Sequence, residues 1–166
     1  MRYYDFYESP HGQMLLVARH DGLSGVYFEG QKYHAHIEAE WRRDARHAPL
    51  RQAKRELVEY FGGERKCFDT TLAPEGTPFQ QSVWKAISTV EFGKTITYGE
   101  LARRAGCIGS ARAAGAATGR NPLTIIVPCH RIVGSNGSLT GYAGGLDRKR
   151  ALLALESGIP DLLSAA

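Results

Sequence analysis

The sequence predicts an α+β protein: a small sheet-and-helix domain over residues 1–73, then a mainly helical domain over residues 74–166. Three observations predict it. Two short apolar runs early in the chain flank an Asp-Gly turn, the pattern of a hairpin. One stretch of helical periodicity follows and stops at a Gly pair. In the second half, N-capping patterns and two short helices split by a Gly-containing turn replace the strand signals.

Each element has its own reason. Ser9-Pro10-His11-Gly12 marks the first turn. Residues 14–18 and 23–28 are apolar runs around His20-Asp21-Gly22 and read as paired strands. Residues 31–48 are polar and carry weak signals. Leu50, Ala53, Leu57, Val58 and Phe61 recur at helical spacing, and Gly62-Gly63 ends that helix. Residues 68–72 are a candidate further strand, and Ala73-Pro74-Glu75-Gly76 is the linker. Thr77-Pro78-Phe79-Gln80 is a capping box with Pro at the first helical position. Behind it Phe79, Val83, Trp84, Ile87 and Val90 form a buried stripe, closed by Phe92-Gly93. Thr97-Tyr98-Gly99-Glu100 is a second capping box, opening a helix through Ala105. Gly106-Cys107-Ile108-Gly109 is a turn, and Ser110 caps a third helix through Thr118, completing a helix-turn-helix. Residues 123–127 are extended, Asn136-Gly137 is a turn, and residues 147–156 form a last helix with Leu152, Leu153 and Leu155 facing the core.

Composition narrows the class. The chain has 166 residues, 43% of them hydrophobic, enough for one or two compact domains. Its three cysteines, Cys67, Cys107 and Cys129, are too few and too scattered for a disulfide framework, which points to a reducing compartment. No apolar stretch approaches the roughly 18 residues of a membrane span. The opening Met1-Arg2-Tyr3-Tyr4-Asp5 lacks the apolar core of a signal peptide, so a cytoplasmic location is expected. The net charge is +4. Residues 97–150 hold eight bases and two acids, a net of +6, which leaves −2 for the remainder. A basic half favours a polyanionic partner, most simply nucleic acid.

Two segments carry chemistry. The second helix of the helix-turn-helix, Ala111-Arg112-Ala113-Ala114-Gly115-Ala116-Ala117, is almost bare of side chains. Such a stripe serves close helix packing as readily as DNA. A helix that reads the major groove offers several long polar side chains, whereas this one offers Arg112 alone. It suits close approach to DNA with little sequence reading, and a lone Arg suits filling the gap left by an extruded base. The other segment is Pro128-Cys129-His130-Arg131. A free thiol ionises near pH 8.5, so a nucleophilic Cys needs a base or a positive charge beside it. His130 and Arg131 supply one of each, although adjacent residues of a strand face opposite ways, so a bend or a bridging water is required. A bare Cys-His pair is more often a buried structural cysteine. Glu156, among leucines late in the last helix, is either solvated there or orients His130, and spacing leaves both open. Thr140-Gly141-Tyr142-Ala143-Gly144-Gly145 is a Gly-rich loop with a flat stacking ring, or a plain connection; no Gly-Lys-Ser/Thr follows, so it is not a phosphate loop.

Taken together, residues 77–158 resemble the O6-alkylguanine-DNA alkyltransferases. Pro128-Cys129-His130-Arg131 is that family's signature, joined by Asn121-Pro122 upstream, Gly141-Tyr142-Ala143-Gly144-Gly145-Leu146 downstream, and Lys149 and Glu156 beyond. The first half matches in size and hairpin character, and the resemblance implies an RNase H-like fold for it. It also implies transfer of the alkyl group of O6-alkylguanine to Cys129, once per chain and without a cofactor or metal, with O4-alkylthymine left open as a second substrate. His130 becomes the base, acting through a water, and Glu156 its orienting carboxylate. Tyr98 protonates the departing guanine, and Asn121 is the hinge. Arg112 is the finger that replaces the flipped nucleotide, with Thr97, Ser110, Ala113, Ala114, Gly115 and Arg120 also facing DNA. Tyr142, Ala143, Gly144, Val127 and Ile132 wall the base pocket. The implied partner is double-stranded DNA bound by a monomer, cooperatively or not, with no membrane. Ala143 departs from relatives that carry Ser there, so backbone donors replace that hydroxyl. His34, His36, His47 and Cys67 fit no standard zinc spacing and read as surface residues, and Cys107 reads as packing. The rival readings are a non-catalytic alkylguanine-DNA-binding protein, which the presence of Cys129 opposes, and a Cys-His hydrolase, which the helix-turn-helix and Arg112 oppose.

Overall fold

The computed structural model describes residues 1–158; residues 159–166, the tail of the expected helical domain, lie outside the described residues. The chain forms two compact units. The first comprises Met1–Glu75 and Pro122–Thr124, and the second comprises Gly76–Asn121 and the chain from Ile125 onward.

In the first unit, β1 (Tyr3–Ser9), β2 (Gly12–Arg19), β3 (Gly22–Phe28) and β4 (Arg42–Arg43) form one sheet in the order β3-β2-β1-β4. The first three strands pair antiparallel and β4 runs parallel to β1. α1 (Ala48–Phe61) packs on β1, β2 and β3. Its buried line is Leu50, Ala53, Leu57 and Tyr60, with Glu56 among them. Expected core residues Val58 and Phe61 lie beside that line; Val58 is 52% exposed and Phe61 half-buried. The hairpin at His20-Asp21-Gly22 forms as expected, and Gly22 is required there because a Cβ would stand 2.8 Å from the Thr71 carbonyl oxygen.

The expected strand at residues 68–72 does not form; only Leu72 bridges to Leu23. The reason is local. Glu56 takes the backbone N–H groups of Asp69 (2.9 Å) and Thr70 (3.1 Å) and the Thr70 hydroxyl (2.8 Å), so those donors are lost to a ladder. Residues 123–127 are likewise not one extended strand. Pro122 and Thr124 bond to Val26, whereas Ile125 turns with φ 74°.

In the second unit, α2 (Pro78–Ile87) has its capping box closed both ways, Thr77 accepting from Gln80 and Gln80 from Thr77. It stops short of Phe92-Gly93, because the Ser88 and Thr89 hydroxyls donate to the Trp84 and Ala86 carbonyls and satisfy its last turn. Phe79 is partly exposed; Val83, Trp84, Ile87 and Val90 are buried. β5 (Ile96–Thr97) leads into α3 (Tyr98–Arg104). Only half of the second capping box forms: Thr97 accepts from the Glu100 N–H, but the Glu100 carboxylate is held by Arg103 and Arg104. α4 (Ala111–Gly119) packs on α3 and completes the helix-turn-helix, although Ser110 makes no side-chain cap. β6 (Ile132–Val133) pairs parallel with β5. α5 (Leu146–Ser157) turns Lys149, Ala151, Leu152 and Glu156 inward, and leaves Leu153 and Leu155 half-buried.

Candidate active site

Cys129 opens a single turn of 3-10 helix, Cys129–Arg131, that begins at Pro128. This turn supplies the bend that a strand lacks. β6 follows it directly, so its pairing with β5 joins the cysteine turn to the start of α3. Asn121, just beyond α4, donates from Nδ2 to the Val127 carbonyl at 2.8 Å and to Cys129 Sγ at 3.1 Å. One amide therefore ties the end of α4 to the thiol. Cys129 is only 6% exposed.

His130 is wholly buried, and its Nε2 lies 2.6 Å from Glu156 Oε2. Arg131 donates from Nε to Glu156 Oε1 at 2.8 Å, from Nη2 to Oε2 at 3.0 Å and from Nη1 to the Val90 carbonyl at 2.6 Å. A carboxylate so paired stays ionised and accepts only, so Nε2 of His130 carries the proton. The lone pair then sits on Nδ1, which is buried and has no hydrogen-bond partner among the described residues. Burial pushes the His130 pKa below its ordinary value despite Glu156, so the ring is a neutral base.

The positive charge beside the thiol was expected from Arg131. It comes instead from Lys149, because Arg131 is committed to Glu156 and Val90. Lys149 is wholly buried, and its Nζ donates to the carbonyls of Ile132 (2.6 Å), Thr140 (3.2 Å) and Gly141 (3.2 Å). Burial pushes the Cys129 thiol up, while Asn121 and Lys149 pull it down without cancelling that push. The resting group is a neutral thiol held where ionisation is assisted. Lys149 was legible as a base in a basic segment and as part of the resemblance, but nothing in its spacing announced a buried ammonium. Tyr98 donates to the Thr140 carbonyl at 3.2 Å, and burial, followed by the nearby Cys129, raises its pKa. Tyr98 thus remains a protonated donor at neutral pH.

On α4, Arg112 is exposed and has no partner among the described residues, and Ser110, Ala113 and Arg120 are also exposed. Gly115 faces the Tyr98 ring, 3.6 Å from the position of a Cβ. Ala114 corrects the expectation: it is 0% exposed, on the inward face of α4 with Ala117 and Thr118, and cannot meet DNA. Thr97 spends its hydroxyl on capping α3. The Ile132 side chain is wholly enclosed, and its carbonyl accepts from Lys149. Val127 and Gly144 are buried, and Tyr142 and Ala143 half-buried. Among the described residues, no group of three or more His, Cys, Asp or Glu is placed to hold a metal, and no helix is long and apolar enough to cross a membrane.

Both halves of the chain match known proteins. Residues 2–74 match the ribonuclease-like domain of 6-O-methylguanine DNA methyltransferase, and residues 78–158 match its DNA binding domain. The chain is 49% identical over 154 residues to a methylated-DNA--protein-cysteine methyltransferase of Methanosarcina acetivorans, covering 93% of this chain and 97% of that one. It is 40% identical to the Haemophilus influenzae protein of the same name, over 93% and 86% of the two chains. Among solved structures, the Mycobacterium tuberculosis OGT in complex with DNA superposes with a TM-score of 0.88 at 42% identity, over 98% of each chain. The O6-methylguanine-DNA methyltransferase of Pyrococcus kodakaraensis superposes with a TM-score of 0.63 at 25% identity, over 94% and 99%. This chain belongs to the 6-O-methylguanine DNA methyltransferase family.

Proposed function

We propose that the chain repairs DNA by direct reversal, moving the alkyl group of O6-alkylguanine in double-stranded DNA irreversibly onto Cys129, once per chain. The observation that carries this reading is the arrangement around one thiol: Asn121 on its sulfur, Lys149 as the nearby charge, and a buried His130–Glu156 pair with one ring nitrogen open.

The chemistry follows from that arrangement. Arg112, with the exposed residues of α4, engages DNA and fills the place of the extruded nucleotide. Flipping costs a few kcal/mol, less for a badly paired base. The lesion enters between the turn at Cys129 and the loop of Tyr142, Ala143 and Gly144. The thiol proton passes through a water to Nδ1 of His130, and Glu156 stabilises the imidazolium that forms. Sulfur attacks the alkyl carbon, a C–S bond forms, and the C–O6 bond breaks with its electron pair going to the purine. Tyr98 protonates the purine, which leaves as guanine. The thioether product has no leaving group to expel, so the reaction ends there. Residues 1–73 serve as a scaffold, residues 74–166 hold the chemistry, and the protein works as a cytoplasmic monomer.

Incubation with a duplex carrying O6-methylguanine, then intact mass and peptide mapping, tests this. One added methyl per chain, on Cys129 and absent in Cys129→Ser, is expected. Repair of many lesions per chain, or methyl on Cys67 or Cys107, contradicts it.

A further inference from the structure

The second half of the chain carries the excess charge, yet the first unit contains a cationic surface of its own. Between Arg42 and Arg55 stand six cations, Arg42, Arg43, Arg46, Arg51, Lys54 and Arg55, against one acid, Asp44. These residues belong to β4, the turn after it and the first two turns of α1.

The backbone that presents them is pinned. β4 pairs with Tyr3 and Tyr4, the Asp44 N–H bonds the Tyr4 carbonyl at 3.1 Å, and the Asp44 carboxylate accepts the Arg46 N–H at 3.0 Å. The His47 ring stacks on Tyr3 at 4.1 Å between centroids. Three cations are answered within the unit. Arg43 and Lys54 share the buried Asp5 at 3.2 and 3.3 Å, and Arg55 lies 3.6 Å from Glu59. Sharing one carboxylate also brings Arg43 of the sheet beside Lys54 of the helix. Arg42, Arg46 and Arg51 are exposed and have no side-chain partner among the described residues.

This arrangement works against the fold. Arg51, Lys54 and Arg55 stand at i, i+3 and i+4, where like charges repel by a few tenths of a kcal/mol per pair. A surface kept for stability alone intersperses acids, as α1 does one turn later with Glu59 beside Arg55. Three rigidly presented, unanswered guanidiniums fit a partner with regularly spaced anions, and phosphodiesters supply that without demanding sequence recognition.

We infer that Arg42, Arg46 and Arg51 of the first unit contact the phosphate backbone of duplex DNA, in addition to the contacts made by the helix-turn-helix. The inference rests on the proposed DNA substrate. Each lost phosphate contact lowers the slope of log K against log salt by about one.

The test uses the full chain and undamaged duplex, with binding followed across a salt series. The triple variant R42A/R46A/R51A should lose about three from the slope and bind on the order of tenfold more weakly at moderate salt. Its rate of alkyl transfer from a free O6-alkylguanine base should match the wild type, and R42K/R46K/R51K should recover most of the slope. An unchanged slope overturns the inference. So does a loss of self-association without a loss of slope, which assigns the patch to contact between copies of the chain. Failure of alkyl transfer in the wild type overturns the proposed function instead, and the salt series reads the patch independently of it.

Discussion

Two buried glutamates, one in each unit, occupy similar places and are answered in different ways. Glu56 lies on the inner face of α1 beside Leu57, and Glu156 on the inner face of α5 beside Leu155. The donors to Glu56 are two backbone N–H groups, the Thr70 hydroxyl and the Gln52 amide. Those donors hold its carboxyl below the ordinary range despite the upward push of burial. Glu156 is answered by His130 and Arg131. A carboxylate satisfied by backbone pins a chain segment. A carboxylate satisfied by an imidazole sets which ring nitrogen carries the proton and leaves the other free for chemistry.

Exchange of each glutamate for glutamine should separate the two roles. Glu156→Gln should slow alkyl transfer to Cys129 by roughly 10²-fold in a protein that still binds DNA, as single-turnover kinetics would read. Lys149→Met should slow it by about tenfold, because the charge that assists thiolate formation and the clamp on the 140–141 carbonyls go together; alkylation of Cys129 by a small reagent should slow in parallel. Glu56→Gln should leave the rate per folded molecule unchanged and cost about 2–3 kcal/mol of stability, measured by urea unfolding. The acid limb of stability should change with it. The lowered Glu56 pKa contributes stability that is fully present above the unfolded value, near 4.5, and is lost as pH falls through the folded value. That part of the limb should be missing in the variant. Glu100→Gln, which removes the shared partner of Arg103 and Arg104 at the surface, should leave the urea midpoint almost unchanged.

The same contrast explains what was legible in the sequence. Capping boxes, Gly stops and the Asp-Gly hairpin are local chemistry, so the elements around Thr77, Gly62 and Asp21 were readable from short strings. The Cys129–His130–Arg131 run and a late Glu156 were visible as candidates, and the family resemblance gave them roles. The joining of His130 to Glu156 spans 26 residues and needed the fold. Glu56 drew no attention, because a helix carboxylate looks solvated unless the segment that donates to it is known. Those same donors dissolved the strand expected at residues 68–72. Lys149 was visible among the residues that carry the resemblance but had no role, because a lysine between two arginines does not show that α5 packs it beside the Thr140 and Gly141 carbonyls. Ala114 shows the limit of composition, since a helix of small residues does not reveal which of them face inward.

The central claim is that His130, kept neutral by burial and oriented by Glu156, takes the proton from Cys129. The pH dependence of single-turnover methyl transfer from an O6-methylguanine duplex, in wild type and Glu156→Gln, tests it most directly. In the wild type the rate should hold as pH falls past 6.5 and drop only below it, where the buried ring takes up a proton. In Glu156→Gln the plateau should fall by roughly 10²-fold and the drop should move to still lower pH, because the carboxylate that favoured the imidazolium is gone. An unchanged plateau, or a drop at the same pH in both proteins, would contradict the account.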